Sequence, residues 1–337
     1  MSDNIIRFGI LGSGVISNSH AEAIQRMDTA ELVGVASVDL PGAERFAQTY
    51  GIHCYPDFES MLADARVDAV CICTPSGFHK DNAIQALRAG KHVVLEKPMA
   101  FTRAEAKEIE QAAVESNRVL TTICQLRFFP DVQKARKIVE DGMLGKLVFC
   151  DLSMKYWRDP AYFAGSNWRG TRALDGGGAL MNQGIHGVDL LLYIVGDGKV
   201  VYAKNCTRFH DIEVEDASVA VLEFENGAIG TIEASTCANP GFERRMEING
   251  TRGAMVLVEG RIHKLIVDGE TRINGDDAAV ANTAGGNAPP AWEPYTWQLG
   301  NFIGAVRGEQ KLLLTAAEGS RAVGIIEDIY RFGCERT

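Results

Sequence analysis

The stretch IIRFGILGSGVIS (5–17) decides the fold. Its first seven residues form a mainly apolar run of strand character, the GSG that follows breaks it, and VISNSHAEAIQRM (15–27) continues as a helix. Gly12 and Gly14 therefore stand between a strand and a helix. Glycine is needed there for a tight turn and for the close approach of backbone N–H groups to a pyrophosphate at a helix N-terminus. Ser17 holds the third small position. Val15 and Ile16, in the first helical turn, join the two glycines as candidate contacts for a dinucleotide.

Working outward, short apolar runs alternate with helical stretches. ELVGVASV (31–38), VDAVCICT (67–74) and HVVLEK (92–97) read as strands, while AERFAQTYG (43–51) and HKDNAIQALRAG (79–90) read as helices. TRAEAKEIEQAAVESN (102–117) is a further helix, with Thr102 as its N-cap and Glu105 at capping-box spacing. Buried runs separated by helices imply a parallel sheet covered on both faces. This pattern assigns residues 1–121 to a dinucleotide-binding domain. Where such a fold sets an acidic residue against the ribose, the strand ending in ASVD offers Ser37, with Asp39 two further on. Serine tolerates a 2′-phosphate and aspartate repels one, so both NAD and NADP stay open.

Beyond about residue 120 the rhythm changes. KLVFCDLSMKYW (146–157), VYAKNCTRF (201–209), ASVAVLEFENGAIGTIEAST (217–236), RRMEINGTRGAMVLVEG (244–260) and RIHKLIVDG (261–269) are β-type runs. Asn226-Gly227 between alternating segments marks a hairpin. The spacing predicts an antiparallel or mixed sheet, interrupted by one long helix over 179–196. A loop poor in bulky residues is expected over 275–290, either a plain surface loop or a lid, and helices follow from Trp297. Residues 122–337 thus make a second α/β domain, with its final helices free to pack back on the first.

Composition bounds the function. The 337 residues carry a formal charge of −10, which argues against a non-specific nucleic-acid binder. No apolar stretch reaches the ~20 residues that span a bilayer. The N-terminus lacks a signal-peptide pattern, so the expected address is the cytoplasm. Eight dispersed cysteines without a CxxC pair read as buried free thiols. No histidine or cysteine spacing suits a metal.

Lys97 sits just past the end of a buried strand, where binding crevices lie in parallel sheets, and Pro98 fixes the turn after it. Partial desolvation beside a nicotinamide cation is expected to lower its pKa toward neutrality, which suits proton transfer to or from a secondary hydroxyl. Asn182 and His186 lie four apart on the predicted helix and so share a face, with Asp189 near the same line. Arg127, Lys155, Arg158, Tyr162, Asn167, Trp168, Arg169 and Arg172 are candidate substrate contacts. The cations among them suit an anionic ligand such as a carboxylate or diphosphate.

GILGSGVIS, TPSGFH (74–79), AGKHVVLEKPMA (89–100) and GGGALMNQGIHGVDLL (176–191) resemble the Gfo/Idh/MocA oxidoreductases across nearly the whole chain. WRGT followed by DGGGALMNQGIH is similar to members acting on sugars, notably UDP-N-acetylhexosaminuronate and related 3-dehydrogenases. The resemblance implies a Rossmann domain and then a domain with a large open, predominantly antiparallel sheet. That sheet commonly forms an oligomer interface, here of a homodimer or homotetramer, and the substrate is expected between the domains. It further implies Lys97 as catalytic acid/base, with His186 and Asn182 beside the reacting hydroxyl. Thr74, Pro75, His79, Glu96 and Lys97 are implied to lie at the cofactor. The family often has aspartate where Asn182 stands, so a carboxylate-tuned His186 is not expected. Two rival activities share the scaffold. One is an NAD-retaining glycosidase working by oxidation and elimination. The other is a non-catalytic dinucleotide sensor, which has no use for Lys97 and His186.

Overall fold

The computed structural model describes residues 5–275 and 292–334. The loop expected over 275–290 falls, beyond Gly275, outside the described residues. The described chain divides into two compact units, 5–125 with 292–320, and 126–275 with 321–334. The contacts therefore change allegiance at 125/126 rather than at 121/122.

In the first unit, six strands lie side by side: β1 (Ile6–Leu11), β2 (Ala30–Ala36), β3 (His53–Cys54), β4 (Ala69–Ile72), β5 (His92–Leu95) and β6 (Leu120–Thr122). Every pairing is parallel, and the order is β3-β2-β1-β4-β5-β6. The sheet is apolar on both faces because helices cover both. Those helices are α1 (Val15–Gln25), α2 (Leu40–Tyr50), α3 (Phe58–Ala63), α4 (His79–Arg88) and α5 (Arg103–Ser116). Phe8, Ile10, Val35 and Cys71 belong to one buried cluster, while Val70, Ile72, Val93 and Leu95 belong to another. The capping box of α5 forms with a shift. Thr102 accepts from Glu105 N at 3.2 Å, and the Glu105 carboxylate reaches back to Phe101 N at 2.9 Å. The strand order reverses between β1 and β4, so the loops after these two strands border one crevice at their carboxyl ends.

The second unit holds an eight-stranded sheet. It is built from β7 (Leu147–Lys155), β8 (Gly198–Cys206), β9 (Ala217–Phe224), β10 (Ile229–Ser235), β11 (Arg245–Gly250), β12 (Gly253–Val258), β13 (Arg261–Val267) and β14 (Glu270–Asn274). Its order is β14-β13-β12-β11-β7-β10-β9-β8, and only β7 and β10 run parallel. The Asn226-Gly227 turn joins β9 to β10 as a hairpin. The remaining helices are α6 (Pro130–Glu140), α7 (Pro160–Ala164), α8 (Ile185–Val195), α9 (Glu293–Val306) and α10 (Ala316–Cys334). α6 and α8 cover one sheet face, where Leu152, Met154, Leu222, Ile232 and Ile248 are buried. α9 belongs to the first unit, and its Tyr295, Leu299, Phe302 and Ile303 complete the cluster around β1.

The helix expected over 179–196 is two elements. Ala179–Gly184 form a π-helix and only then does α8 begin. The seven cysteines whose side chains are described stand outside any disulfide, and Cys54, Cys206 and Cys237 are only half-buried. No helix of the described residues is long and apolar enough to cross a membrane.

Arg127 is fully buried and meets Asp189 twice, Nε to Oδ2 at 2.9 Å and Nη2 to Oδ1 at 2.7 Å. The guanidinium also lies over the Tyr193 ring, 4.7 Å from its centre. A buried charge left without its partner is costly. Asp189→Ala is therefore expected to remove about 3–5 kcal/mol of stability from the second unit. An unchanged urea midpoint for that unit would show that the pair does not hold α8 in place.

Candidate active site

The dinucleotide turn follows from steric rules. Gly12 has φ of +107°, and a Cβ there would meet the Cys73 carbonyl oxygen at 2.7 Å, so only glycine fits. Gly14 caps α1 without a side-chain bond, and a Cβ on it would meet nothing within 4 Å. An open face before uncapped helix N–H groups fits a pyrophosphate. Ser17 is buried and donates to the Gly12 carbonyl at 3.0 Å, which fastens the turn from below. Val15 is largely exposed at the same end, while Ile16 is half-buried.

Ser37 lies one residue past β2, half-buried, and its hydroxyl accepts from Asp39 N at 3.2 Å. Asp39 is exposed and caps α2 by accepting from Gly42 N at 3.2 Å. Both residues thus belong to one small turn beside the glycine loop.

The loops after β4 and β5 carry the other cofactor candidates. His79 opens α4 and is buried, with Nδ1 2.6 Å from the Pro98 carbonyl and Nε2 3.0 Å from the Thr74 carbonyl. It thereby ties the Thr74-Pro75 loop to the Lys97-Pro98 loop. Burial pushes the His79 pKa down, although both carbonyls favour its charged form. Glu96, expected at the cofactor, is buried. Its carboxylate accepts from His20 Nε2 at 2.8 Å, from Lys97 N at 3.2 Å and from Tyr295 Oη at 3.4 Å. Burial works against a charge on His20, but Cys73 and Glu96 outweigh it and hold its pKa above the usual histidine range. Lys97 itself is half-buried, the second residue past β5.

In the second unit the glycine run before the π-helix is shaped by Glu215. This buried carboxylate accepts from Gly178 N at 3.0 Å, Leu180 N at 2.9 Å and Tyr330 Oη at 2.9 Å. Burial pushes its pKa up, and the three donors oppose that shift. A Cβ on Gly178 would collide with the Glu215 carbonyl oxygen. The π turn presents Asn182 toward Asp175, to which its Nδ2 donates at 2.5 Å, while its Oδ1 accepts from Gln183 Nε2 at 3.0 Å. Asn182 therefore spends both ends of its amide inside the protein. Asp175, buried, also accepts from Gly170 N at 2.8 Å. His186 is half-buried in the first turn of α8.

The cationic candidates separate into distinct settings. Arg127 is enclosed with Asp189, and Lys155 is exposed at the end of β7, 2.5 Å from Glu233. Arg158 and Arg169 instead gather on Tyr162. The Arg169 guanidinium lies 4.3 Å from the Tyr162 ring centre and 5.3 Å from that of Trp168. The Arg158 guanidinium lies 5.6 Å from the Tyr162 centre, and its Nη2 donates to Gln183 Oε1 at 2.8 Å. Arg169 Nε is buried with no hydrogen-bond partner among the described residues. Burial raises the Tyr162 pKa and both arginines oppose the rise, as expected of a phenol facing two cations. Asn167 and Arg172 are exposed. Gln183 went unnoticed in the sequence because α-helical spacing made Asn182 and His186 the matched pair. A π turn redistributes the faces, and such turns recur at functional sites.

Comparisons with known proteins bear on the family. Residues 6–123 match a family model described as an oxidoreductase family with an NAD-binding Rossmann fold. Residues 132–256 match the GFO/IDH/MocA C-terminal domain. A D-glucoside 3-dehydrogenase of Escherichia coli K12 is 31% identical over 78% of this chain and 80% of its own. A myo-inositol 2-dehydrogenase of Thermotoga maritima is 29% identical over 74% of each chain. Among solved structures, the WlbA dehydrogenase of Bordetella pertussis, in complex with NADH and UDP-GlcNAcA, has a TM-score of 0.87 and 30% identity. That alignment covers 99% of this chain and 98% of WlbA. With its turn, its two sheets and these matches in agreement, the chain belongs to the Gfo/Idh/MocA family of NAD(P)-dependent oxidoreductases.

Proposed function

We propose that the protein transfers a hydride between NAD(P) and a secondary hydroxyl of an anionic sugar, most simply a nucleotide sugar. The single observation carrying this reading is the Arg158–Tyr162–Arg169 cluster. Its two guanidiniums have no carboxylate partner among the described residues, and one keeps a buried N–H without an acceptor. Cations held this way favour a phosphate or carboxylate. The WlbA dehydrogenase, which binds UDP-GlcNAcA, supports the same class. The named relatives are dehydrogenases and reductases, and no observation favours the glycosidase or the sensor.

The nicotinamide cofactor supplies the hydride acceptor or donor when bound. Gly12, Gly14 and the first turn of α1 hold its pyrophosphate through backbone N–H groups. Ser37 or Asp39 meets the ribose, and NAD is the favoured form because Asp39 stands exposed beside the turn. Lys97 takes the hydroxyl proton during oxidation and returns it during reduction. His186, in the first turn of α8, is a candidate substrate contact of the second unit, and Asp175 holds Asn182 so that the π turn there keeps its shape.

The open sheet face supports self-association. Phe149 and Ile229 are paired neighbours on β7 and β10, 47% and 46% exposed, with Val219 and Tyr202 exposed on the next strands. We propose a homodimer or homotetramer through this face. Sedimentation is expected to show the oligomer in the native protein and the monomer in a Phe149→Glu, Ile229→Lys variant. A native monomer would refute the interface.

Two enzyme variants test the activity. Lys97→Met is expected to keep folding and NADH affinity while turnover falls by roughly two to four orders of magnitude. Near-normal turnover would remove Lys97 as acid/base. Arg169→Ala is expected to raise KM for UDP-GlcNAcA by at least about tenfold, or roughly 1.4 kcal/mol, with little change for an uncharged sugar. Equal turnover of neutral monosaccharides and UDP-sugars, together with a wild-type-like Arg169→Ala, would defeat the nucleotide-sugar assignment.

A further inference from the structure

Gln183 joins the polar groups of the second unit through one carboxamide. Its Oε1 accepts from Arg158 Nη2 at 2.8 Å, and its Nε2 donates to Tyr162 Oη at 2.8 Å and to Asn182 Oδ1 at 3.0 Å. The orientation of this amide is dictated from within. Asp175 is an acceptor toward both Gly170 N and Asn182 Nδ2, so the Asn182 NH2 must face it. The Asn182 oxygen then faces Gln183, which turns its NH2 inward and its oxygen toward Arg158. A guanidinium can only donate, so the sequence of donors and acceptors closes without conflict.

The kind of partner matters as much as its position. Arg7, Arg66, Arg127 and Arg252 each meet a carboxylate at 2.7 or 2.8 Å. Arg158 is held by a neutral carboxamide and by aromatic rings, and Arg169 stacks on aromatic rings. A glutamate at position 183 would pair with Arg158 as an ion and cancel the charge that an anionic ligand needs, and it would give up the donation to Asn182 Oδ1. We propose that Gln183 is a specificity-determining residue: it positions Arg158 and Tyr162 while leaving the positive field of Arg158 uncompensated, which selects a sugar bearing a phosphoryl or carboxylate group over a neutral one. The inference rests on the reading of Arg158 and Arg169 as anion-binding. It adds that the neutrality of one amide sets the preference.

The test uses the NADH-loaded full-length protein and isothermal titration with three probes: UDP-GlcNAcA, UDP-N-acetylglucosamine and levoglucosan. Gln183→Glu is expected to weaken UDP-GlcNAcA by at least roughly tenfold and to flatten the salt dependence of its binding. Levoglucosan and NADH affinities should stay unchanged. If the group recognised is the diphosphate, UDP-N-acetylglucosamine weakens in parallel. If it is the uronate, that probe is spared. Gln183→Met, uncharged and of similar size, is expected to weaken the anionic probes less and to keep the salt dependence, which separates lost positioning from charge compensation. The inference is overturned if Gln183→Glu binds UDP-GlcNAcA as the native protein does while Arg158→Ala weakens it. It is also overturned if both Gln183 variants weaken the anionic and neutral probes alike. If Arg158→Ala and Arg169→Ala change nothing, or the native protein binds neither UDP-sugar, the anionic-sugar reading itself falls and takes the inference with it.

Discussion

The carboxylate of Glu215 fixes the π turn of the second unit. It is buried, and it accepts two backbone N–H groups at the start of the π turn together with the Tyr330 hydroxyl. Negative charge at the N-terminal end of a helical segment is favourable because the first N–H groups have no carbonyl of their own. Here that rule decides where residues 179–184 begin and how they wind. Asn182 and Gln183 inherit their directions from it, and Arg158 and Tyr162 inherit theirs from Gln183. The glycines before the turn are a consequence, since Gly178 passes too close to the Glu215 backbone for any side chain.

The cofactor half depends on the same kind of economy at strand ends. Gly12 leaves room for the backbone after β4, and Ser17 binds the turn from inside the unit. His79 then bridges the loops that follow β4 and β5, while Glu96 is locked by His20 and Tyr295. These contacts hold the backbone on either side of Lys97 in a fixed path. The proton-transfer role proposed for Lys97 would gain from such anchoring, since small displacements of the reacting atoms cost rate.

Arginine shows most clearly what identity alone leaves undecided. Arg127, Arg158 and Arg169 look equivalent as cations near the middle of the chain. Burial with Asp189 makes the first a structural strut, and aromatic stacking leaves the other two with their charge uncompensated. Lys155 is drawn to Glu233 because alternate residues of β7 face the open side of the sheet, an effect of strand register.

What the sequence by itself determined was local and periodic. The strand, glycine turn and helix at 5–17, the alternation of apolar runs and helices to about residue 120, and the Asn226-Gly227 hairpin follow from backbone sterics and hydrophobic spacing. These rules act over a few residues and so can be read in one dimension. The tertiary structure decided which strands became neighbours, where the contacts change from one unit to the other, and that 179–184 winds as a π-helix. It also decided that Asn182 faces Asp175 and that Gln183 holds Arg158. The physical reason is that a buried polar group needs a partner, and partners such as Glu215 and Tyr330 come from positions far along the chain that no local spacing brings together.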